Sequence, residues 1–253
     1  MRGWQSLAVA GALLAGTATA GFAKEEGAIY ELRTYTTAPG KLPVLLERFG
    51  RSNLPLFEKH GIELVGAWTP VEQGDQLIYL LRFPSRDAVA KAREAFGSDP
   101  DWKALFAKEK EEHGEVVAKV ESVFLSPTDY SPEPGVASEG EPSLYEMRTY
   151  TASPGRLVKL NDRFREHTLE LFARHGMRNI VYTVPADEDK GSANTLVYIV
   201  AHKDRASADA SWKAFGDDPE WQKVYAESQT DGVKLAEKVE RIYLSPTAFS
   251  PLK

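Results

Sequence analysis

Residues 29–49 read IYELRTYTTAPGKLPVLLERF, and residues 144–164 read LYEMRTYTASPGRLVKLNDRF. The chain is therefore one unit of roughly a hundred residues written twice. Tyr30 matches Tyr145, Arg33 matches Arg148 and His60 matches His175 at a spacing of 115; Tyr79 matches Tyr198, Phe96 matches Phe215 and Trp102 matches Trp221 at a spacing of 119. The net gain of four residues falls in one polar segment, Pro185 to Asn194, which reads as a surface loop that tolerates insertion.

Each copy reads in the same order. Ile29 to Tyr35 is a strand closed by Pro39-Gly40. Leu42, Leu45, Leu46, Phe49, Leu56 and Phe57 then recur at helical spacing up to His60-Gly61. Pro55 is expected to kink this helix, whereas Glu170 in the second copy lets it run straighter. Ile62 to Thr69 and Leu77 to Phe83 read as a hairpin. A helical region from Ser85 pauses at Gly97 and restarts at Asp99-Pro100, an N-cap followed by proline at the first helical position. A last strand runs from about Val116 to Leu125. The order βαββαβ predicts an α+β fold: two tandem ferredoxin-like domains whose uncovered sheet faces pack on each other as an intramolecular α+β barrel, a pseudo-dimer.

The expected division is residues 1–23 a signal peptide, 27–130 the first domain, 131–142 a Pro/Gly/Ser/Glu-rich linker and 143–253 the second domain. The signal reading rests on Arg2, the apolar run Leu7 to Ala15 and Ala18-Thr19-Ala20, with cleavage after Ala20 or Ala23; it predicts a periplasmic or secreted protein with no membrane span in the mature chain. The chain contains no cysteine, which excludes thiol catalysis, thiolate metal sites and disulfides. A net charge of -6 without a basic stripe argues against nucleic acid as a partner.

Tyr30-Glu31-Leu32-Arg33-Thr34-Tyr35 with Pro39-Gly40 and His60-Gly61 resembles the NIPSNAP family, and Tyr145 to Tyr150 with Pro154-Gly155 and His175-Gly176 resembles it again. The resemblance covers nearly all of the expected mature chain. It implies the dimeric α+β barrel superfamily and no established catalytic residue.

Alternation along the first strand puts Tyr30, Leu32 and Thr34 on one face and Glu31, Arg33 and Tyr35 on the other. The first set is assigned to the helix layer and the second to the barrel interior, together with Glu146, Arg148 and Tyr150, and with Trp68, Tyr79, Tyr182 and Tyr198 lining the same space. Two readings of the Glu/Arg pairs stand. They are buried ion pairs that set the register, or an Arg holds a carboxylate or enolate-like oxygen of a ligand while a Tyr orients it.

His60 and His175 read as helix-end residues beside left-handed glycines. No metal-ligand spacing, phosphate loop or nucleophile elbow is present, so neither metal nor cofactor is expected. Trp102 and Trp221 read as packing anchors, and the repeated Ser-Pro-Thr segments as strand exits. Asymmetry is visible at Pro55 against Glu170, Ser52 against His167, Trp68 near Tyr182, and the longer second hairpin loop.

Two functions fit. One is a module that binds a small amphipathic or aromatic molecule or a protein partner, with further homo-oligomerisation open. The other is a cofactor-independent oxygenase or isomerase acting on an aromatic or polyketide-like compound within the barrel.

Overall fold

In the computed structural model of the protein, residues 27–134, 143–229 and 231–252 are described. The expected signal segment lies outside them, as do residues 135–142 of the expected linker. The start of that linker is docked: the Tyr182 N–H donates to Ser131 Oγ (2.9 Å), and Glu133 pairs with Arg82 (3.3 Å).

The first repeat runs β1 (Ile29–Thr37), α1 (Leu42–Arg48), a π turn (Phe49–Asn53), α2 (Leu54–Lys59), β2 (Glu63–Pro70), β3 (Gln76–Phe83), α3 (Arg86–Ser98), α4 (Pro100–His113) and β4 (Val117–Pro127). The second repeats it as β5 (Leu144–Ala152), α5 (Leu157–Arg163), a π turn (Phe164–Thr168), α6 (Leu169–Arg174), β6 (Arg178–Pro185), β7 (Thr195–His202), α7 (Arg205–Asp217), α8 (Pro219–Glu227) and β8 (Ala236–Pro246). Among the described residues, these eight strands close into one barrel in the order β1-β3-β2-β8-β5-β7-β6-β4.

The two sheets join through strand ends. Leu125 and Pro127 of β4 pair with Pro185 and Thr183 of β6; Trp68 and Pro70 of β2 pair with Pro246 and Leu244 of β8. The duplicated Ser-Pro-Thr segments are thus the seam. Proline ends each ladder, and the next threonine donates its backbone N–H to the other repeat, Thr128 to the Tyr182 carbonyl and Thr247 to the Ala67 carbonyl (both 2.9 Å).

Closure decides which strand face points where, and it reverses the expected assignment. Tyr30 and Leu32 of β1, with Trp68, Leu80, Tyr145, Met147, Ile199 and Leu244, fill the barrel interior as one apolar cluster. The Trp68 and Tyr145 rings meet across the repeats at 5.5 Å. Glu31, Arg33 and Tyr35 lie on the other face, under the helices, as do Glu146, Arg148 and Tyr150. Tyr35 and Tyr79 pack with Leu45, Phe49 and Val89 of the first helix layer; Tyr150, Tyr182 and Tyr198 pack with Leu160, Phe164 and Phe172 of the second. Of the ten residues expected inside the barrel, Trp68 alone is there. A closed barrel seals its interior from water at every strand, so the uncharged face, Tyr30, Leu32 and Thr34, goes inward. The helix layer is open along its edges and accepts charged groups.

The first helix also differs from expectation. Both repeats carry the same π turn at the same place, with Pro55 or with Glu170, so the second copy is no straighter. Proline is not its cause. Arg48 and Phe49, and likewise Arg163 and Phe164, lie three and four residues after the buried Leu45 and Leu160 and share their face; the extra residue of the turn that follows keeps Asn53, Leu56 and Phe57, and likewise Thr168, Leu171 and Phe172, on that buried side.

Candidate functional site

Under the first helix layer lies a cavity of about 330 Å³ whose walls include Glu31, Arg33, Tyr35, Arg48, Asn53, Tyr79, Phe83, Arg93, Phe96 and Trp102. Four of the ten expected site residues meet here: Glu31, Arg33, Tyr35 and Tyr79. A second cavity of about 480 Å³ adjoins it, sharing Tyr35, Arg48 and Trp102 and reaching Lys110 and Glu115.

The floor is a polar cluster on β1. Glu31 Oε1 accepts from Arg33 Nη1 (2.8 Å), from Ser122 Oγ of β4 (2.5 Å) and from Arg93 of α3. Three donors crowd one oxygen. Glu31 Oε2, Arg33 Nε, Arg48 Nε and Asn53 Oδ1 are all buried without a hydrogen-bond partner among the described residues, and all four belong to walls of this cavity. Buried polar groups are rarely left so. Arg33 Nη2 donates to Tyr35 Oη (3.1 Å). Burial holds the Tyr79 phenol well above its ordinary pKa, so it is a neutral hydroxyl beside the arginine. The remaining wall is aromatic: Phe57, Phe96 and Trp102, with Phe96 and Trp102 rings 4.7 Å apart.

The second repeat uses the same strand positions and closes them. Glu146 Oε1 accepts from Arg148 Nε (2.7 Å). Its Oε2 takes the Trp212 Nε1–H (2.6 Å) and lies 3.1 Å from His202 Nε2. Trp212, which stands where Arg93 stands in the first repeat, lies over Arg148 with the guanidinium 3.6 Å from the ring centroid. Burial on its own pushes the Glu146 carboxyl up, but bonding to His202, the Arg148 charge and the Trp212 indole outweigh it, and its pKa falls below the ordinary value. Tyr182 occupies the ladder position of Ala67 and stacks on Tyr198 at 5.1 Å. The true partner of Trp68 is Thr183, since both pair with the equivalent place on the neighbouring strand. Beneath the second helix layer a cavity of about 130 Å³ is lined by Tyr150 and Arg163 among others, and a shallower one of about 250 Å³ lies between the helices beside Arg163 and Ser228. Glu146, Arg148, Tyr182 and Tyr198 are packed and line neither.

His60 and His175 do not reach the last helical carbonyls. Their Nε2 atoms lie 2.6 and 2.7 Å from Asp99 and Asp218, the N-caps of α4 and α8. Each ties the end of one helix to the start of another, and the following Gly61 and Gly176 take φ of 66° and 77°. Hydrogen bonds from Lys59 and His60 hold the Asp99 carboxyl well below the usual range. Among the described residues no group of three or more His, Asp or Glu is placed to hold a metal, and no helix is long and apolar enough to cross a membrane.

Sequence reasoning missed Arg48, Asn53 and Arg93. Arg48 is duplicated as Arg163 and stands three residues after Leu45 on the apolar helix face, so both signals were present; it was passed over because a charged side chain reads as solvent-facing by type. Arg93 against Trp212 is readable at the spacing of 119, once the helices are aligned as closely as the strands.

The NIPSNAP profile matches the chain twice, at residues 30–132 and 145–251. Protein NipSnap of Drosophila melanogaster is 24% identical over 238 residues, covering 88% of this chain and 78% of that protein; NipSnap homolog 3B of Mus musculus is 23% identical, covering 91% and 88%. Among solved structures, a candidate monooxygenase from Fusobacterium nucleatum superposes with a TM-score of 0.58 at 10% identity, over 88% of this chain and 93% of its own. One from Lactobacillus acidophilus gives 0.58 at 13%, over 88% and 95%. At these identities the structural likeness speaks to the fold alone, an α+β barrel. The double profile match and the duplicated strand motif together place the chain in the NIPSNAP family, as two tandem copies of its domain.

Proposed function

We propose that the first repeat binds a small aromatic or amphipathic molecule carrying a carboxylate or enolate-like oxygen, in the cavity between its sheet and its helices, and that the equivalent positions of the second repeat, around Glu146 and Arg148, are closed to it. The observation that carries this reading is the set of four unpartnered buried polar atoms, on Glu31, Arg33, Arg48 and Asn53, around a cavity of about 330 Å³. Their counterparts in the second repeat are largely satisfied: both Glu146 oxygens and Arg148 Nε are bonded, and the Thr168 hydroxyl donates to the Arg163 carbonyl (3.1 Å). Arg33 and Arg93 outweigh Glu31 in charge and supply donors for an oxyanion. Phe57, Phe96 and Trp102 offer the apolar wall usual for a ligand of this kind.

The test is Arg93→Trp, which writes the second repeat's residue into the first. Native mass spectrometry of protein purified from its own host is expected to show one small-molecule adduct per chain in the wild type and none in the variant. An adduct retained at full occupancy by folded Arg93→Trp contradicts the assignment.

A second reading is turnover at the same place. Glu31 Oε2, free of partners and next to Arg33, is set to take a proton from an acidic C–H of an aromatic ketone, the electron pair moving to an oxygen held by Arg33. This is isomerase-type chemistry without a cofactor, and it moves the reaction from the barrel interior, which is filled, to the helix side. Hydrogen–deuterium exchange of the bound compound catalysed by wild type and lost in Glu31→Gln distinguishes turnover from binding. Export through residues 1–23 belongs to the same proposal and is checked by the N-terminus of the protein recovered outside the cytoplasm: one beginning near residue 21 or 24 supports it, and an intact Met1 opposes it.

A further inference from the structure

The second repeat buries a cation that the first repeat neutralises. Arg48 is 7% exposed and pairs with Glu109, itself 7% exposed. The equivalent Arg163 is also 7% exposed, but Ser228 stands where Glu109 would, and Arg163 Nη1 donates to its hydroxyl at 3.2 Å. Arg163 Nε has no hydrogen-bond partner among the described residues. No carboxylate stands among the charged neighbours that act on it, and burial lowers its pKa. The rings of Trp221 and Tyr225, with centroids 5.1 and 5.5 Å from the guanidinium, give partial compensation. A buried guanidinium without a counter-charge is costly, and the same chain shows in its other half how that cost is met.

Arg163 forms a wall of the 130 Å³ cavity, together with Thr168, Phe172, Trp221, Tyr225 and Gln229. We propose that this cavity is a binding site for a small monocarboxylate with a short apolar tail, whose carboxylate takes the place of the missing Glu109 equivalent on Arg163. The guanidinium fork matches a carboxylate in two bonds, the aromatic walls suit a tail of a few carbons, and the volume admits little more. On the solvent side Asp162, Glu166 and Glu227, with Lys159 and His167 among them, surround Arg163 and Ser228; the three carboxylates lie beyond ion-pair distance of the guanidinium, outnumber the lysine and disfavour anions of higher charge. The site is separate from the cavity of the first repeat and does not depend on the function proposed there.

Thermal unfolding of the full chain in sodium propionate, against sodium chloride at equal ionic strength, tests this. For a Kd near about 1 mM, about 100 mM propionate raises the wild-type midpoint by about 5 °C or more over chloride. Ser228→Glu, which restores the internal counter-ion, is expected to melt higher than wild type without propionate and to lose the propionate shift. Arg163→Gln loses the shift as well. Should that variant not fold, 13C-propionate resonances broadened by wild type and left sharp by Ser228→Glu provide the same evidence. Equal shifts in wild type and Ser228→Glu, a chloride effect equal to that of propionate, or no shift at all would overturn the proposal.

Discussion

The two helix layers of this protein start from the same strand, Tyr-Glu-x-Arg-Thr-Tyr, and end in opposite states. In the first, Glu31 gathers three donors on one oxygen, leaves the other bare and borders a cavity of about 330 Å³. In the second, Glu146 uses both oxygens, and Trp212 takes the place of Arg93 and covers Arg148. Trp212 for Arg93, His202 for Phe83 and Tyr182 for Ala67 thus separate an open polar cluster from a packed one. A shared motif identifies the scaffold; the residues laid over it decide whether the scaffold is empty or full.

The largest expected effect comes from making the first repeat resemble the second at its buried ion pair. Glu109→Ser strands Arg48 and is expected to cost about 3–5 kcal/mol in chemical denaturation; a loss below about 1 kcal/mol would mean that the pair contributes nothing beyond solvation. Next is the barrel interior, where the repeats differ at Gly66/Val181 and Trp68/Thr183. An added Cβ at Gly66 would overlap the Trp68 ring, so Gly66→Val is expected to cost about 1–3 kcal/mol. Pairing it with Trp68→Thr removes the overlap but leaves a cavity, so non-additive losses in a double-mutant cycle are the signature to look for.

The buried carboxylate of the second repeat carries an acid response. Glu146 has its folded-state pKa below the ordinary value of 4.5. The unfolded chain therefore takes up its proton first as pH falls, and the stabilisation is present above pH 4.5 and is lost as pH drops through the lower folded value. Urea midpoints measured below pH 4.5 should fall more steeply for wild type than for Glu146→Gln, and parallel slopes would remove this carboxylate from the acid response. The smallest effect is at a feature the repeats share. Ser85 and Asp204 accept backbone N–H groups three residues on, from Ala88 and Ser207, at the starts of α3 and α7; Ser85→Ala is expected to cost about 1 kcal/mol, with Asp204→Ala changing stability in the same direction. A change confined to one repeat would show that the caps, too, have diverged.

The fold was legible because duplication and alternation constrain each other. Element order, the hairpin and the Asp99-Pro100 helix start follow from spacing and turn residues, and the packing of the two sheets follows from the need to cover the face that carries no helices. The site was legible only in its chemistry. Period-two alternation separates Tyr30 and Leu32 from Glu31 and Arg33, yet it does not say which set faces the helices when both faces are covered. That choice depends on which layer admits water, a property of the closed barrel as a whole. Arg48 was hidden by its residue type, because an arginine on an apolar helix face reads as solvent-facing until its partner Glu109 is seen, and Asn53 by the π turn, which changes the helical phase without a residue type that announces it. Trp68 and Tyr182 were set side by side as a symmetry-breaking pair although they occupy different ladder positions, and the bulges in β2 and β6, between Leu64 and Gly66 and between Asn179 and Val181, are not visible in residue type.

The central claim is that the strand cluster of the first repeat binds the aromatic or amphipathic molecule and the equivalent strand cluster of the second, around Glu146 and Arg148, does not. Arg33→Ala and Arg148→Ala, each purified from the native host and compared with wild type by native mass spectrometry, test it most directly. The account predicts that Arg33→Ala loses the small-molecule adduct while Arg148→Ala, though less stable, keeps it. Loss from Arg148→Ala with retention by Arg33→Ala would contradict it and move the site to the second repeat.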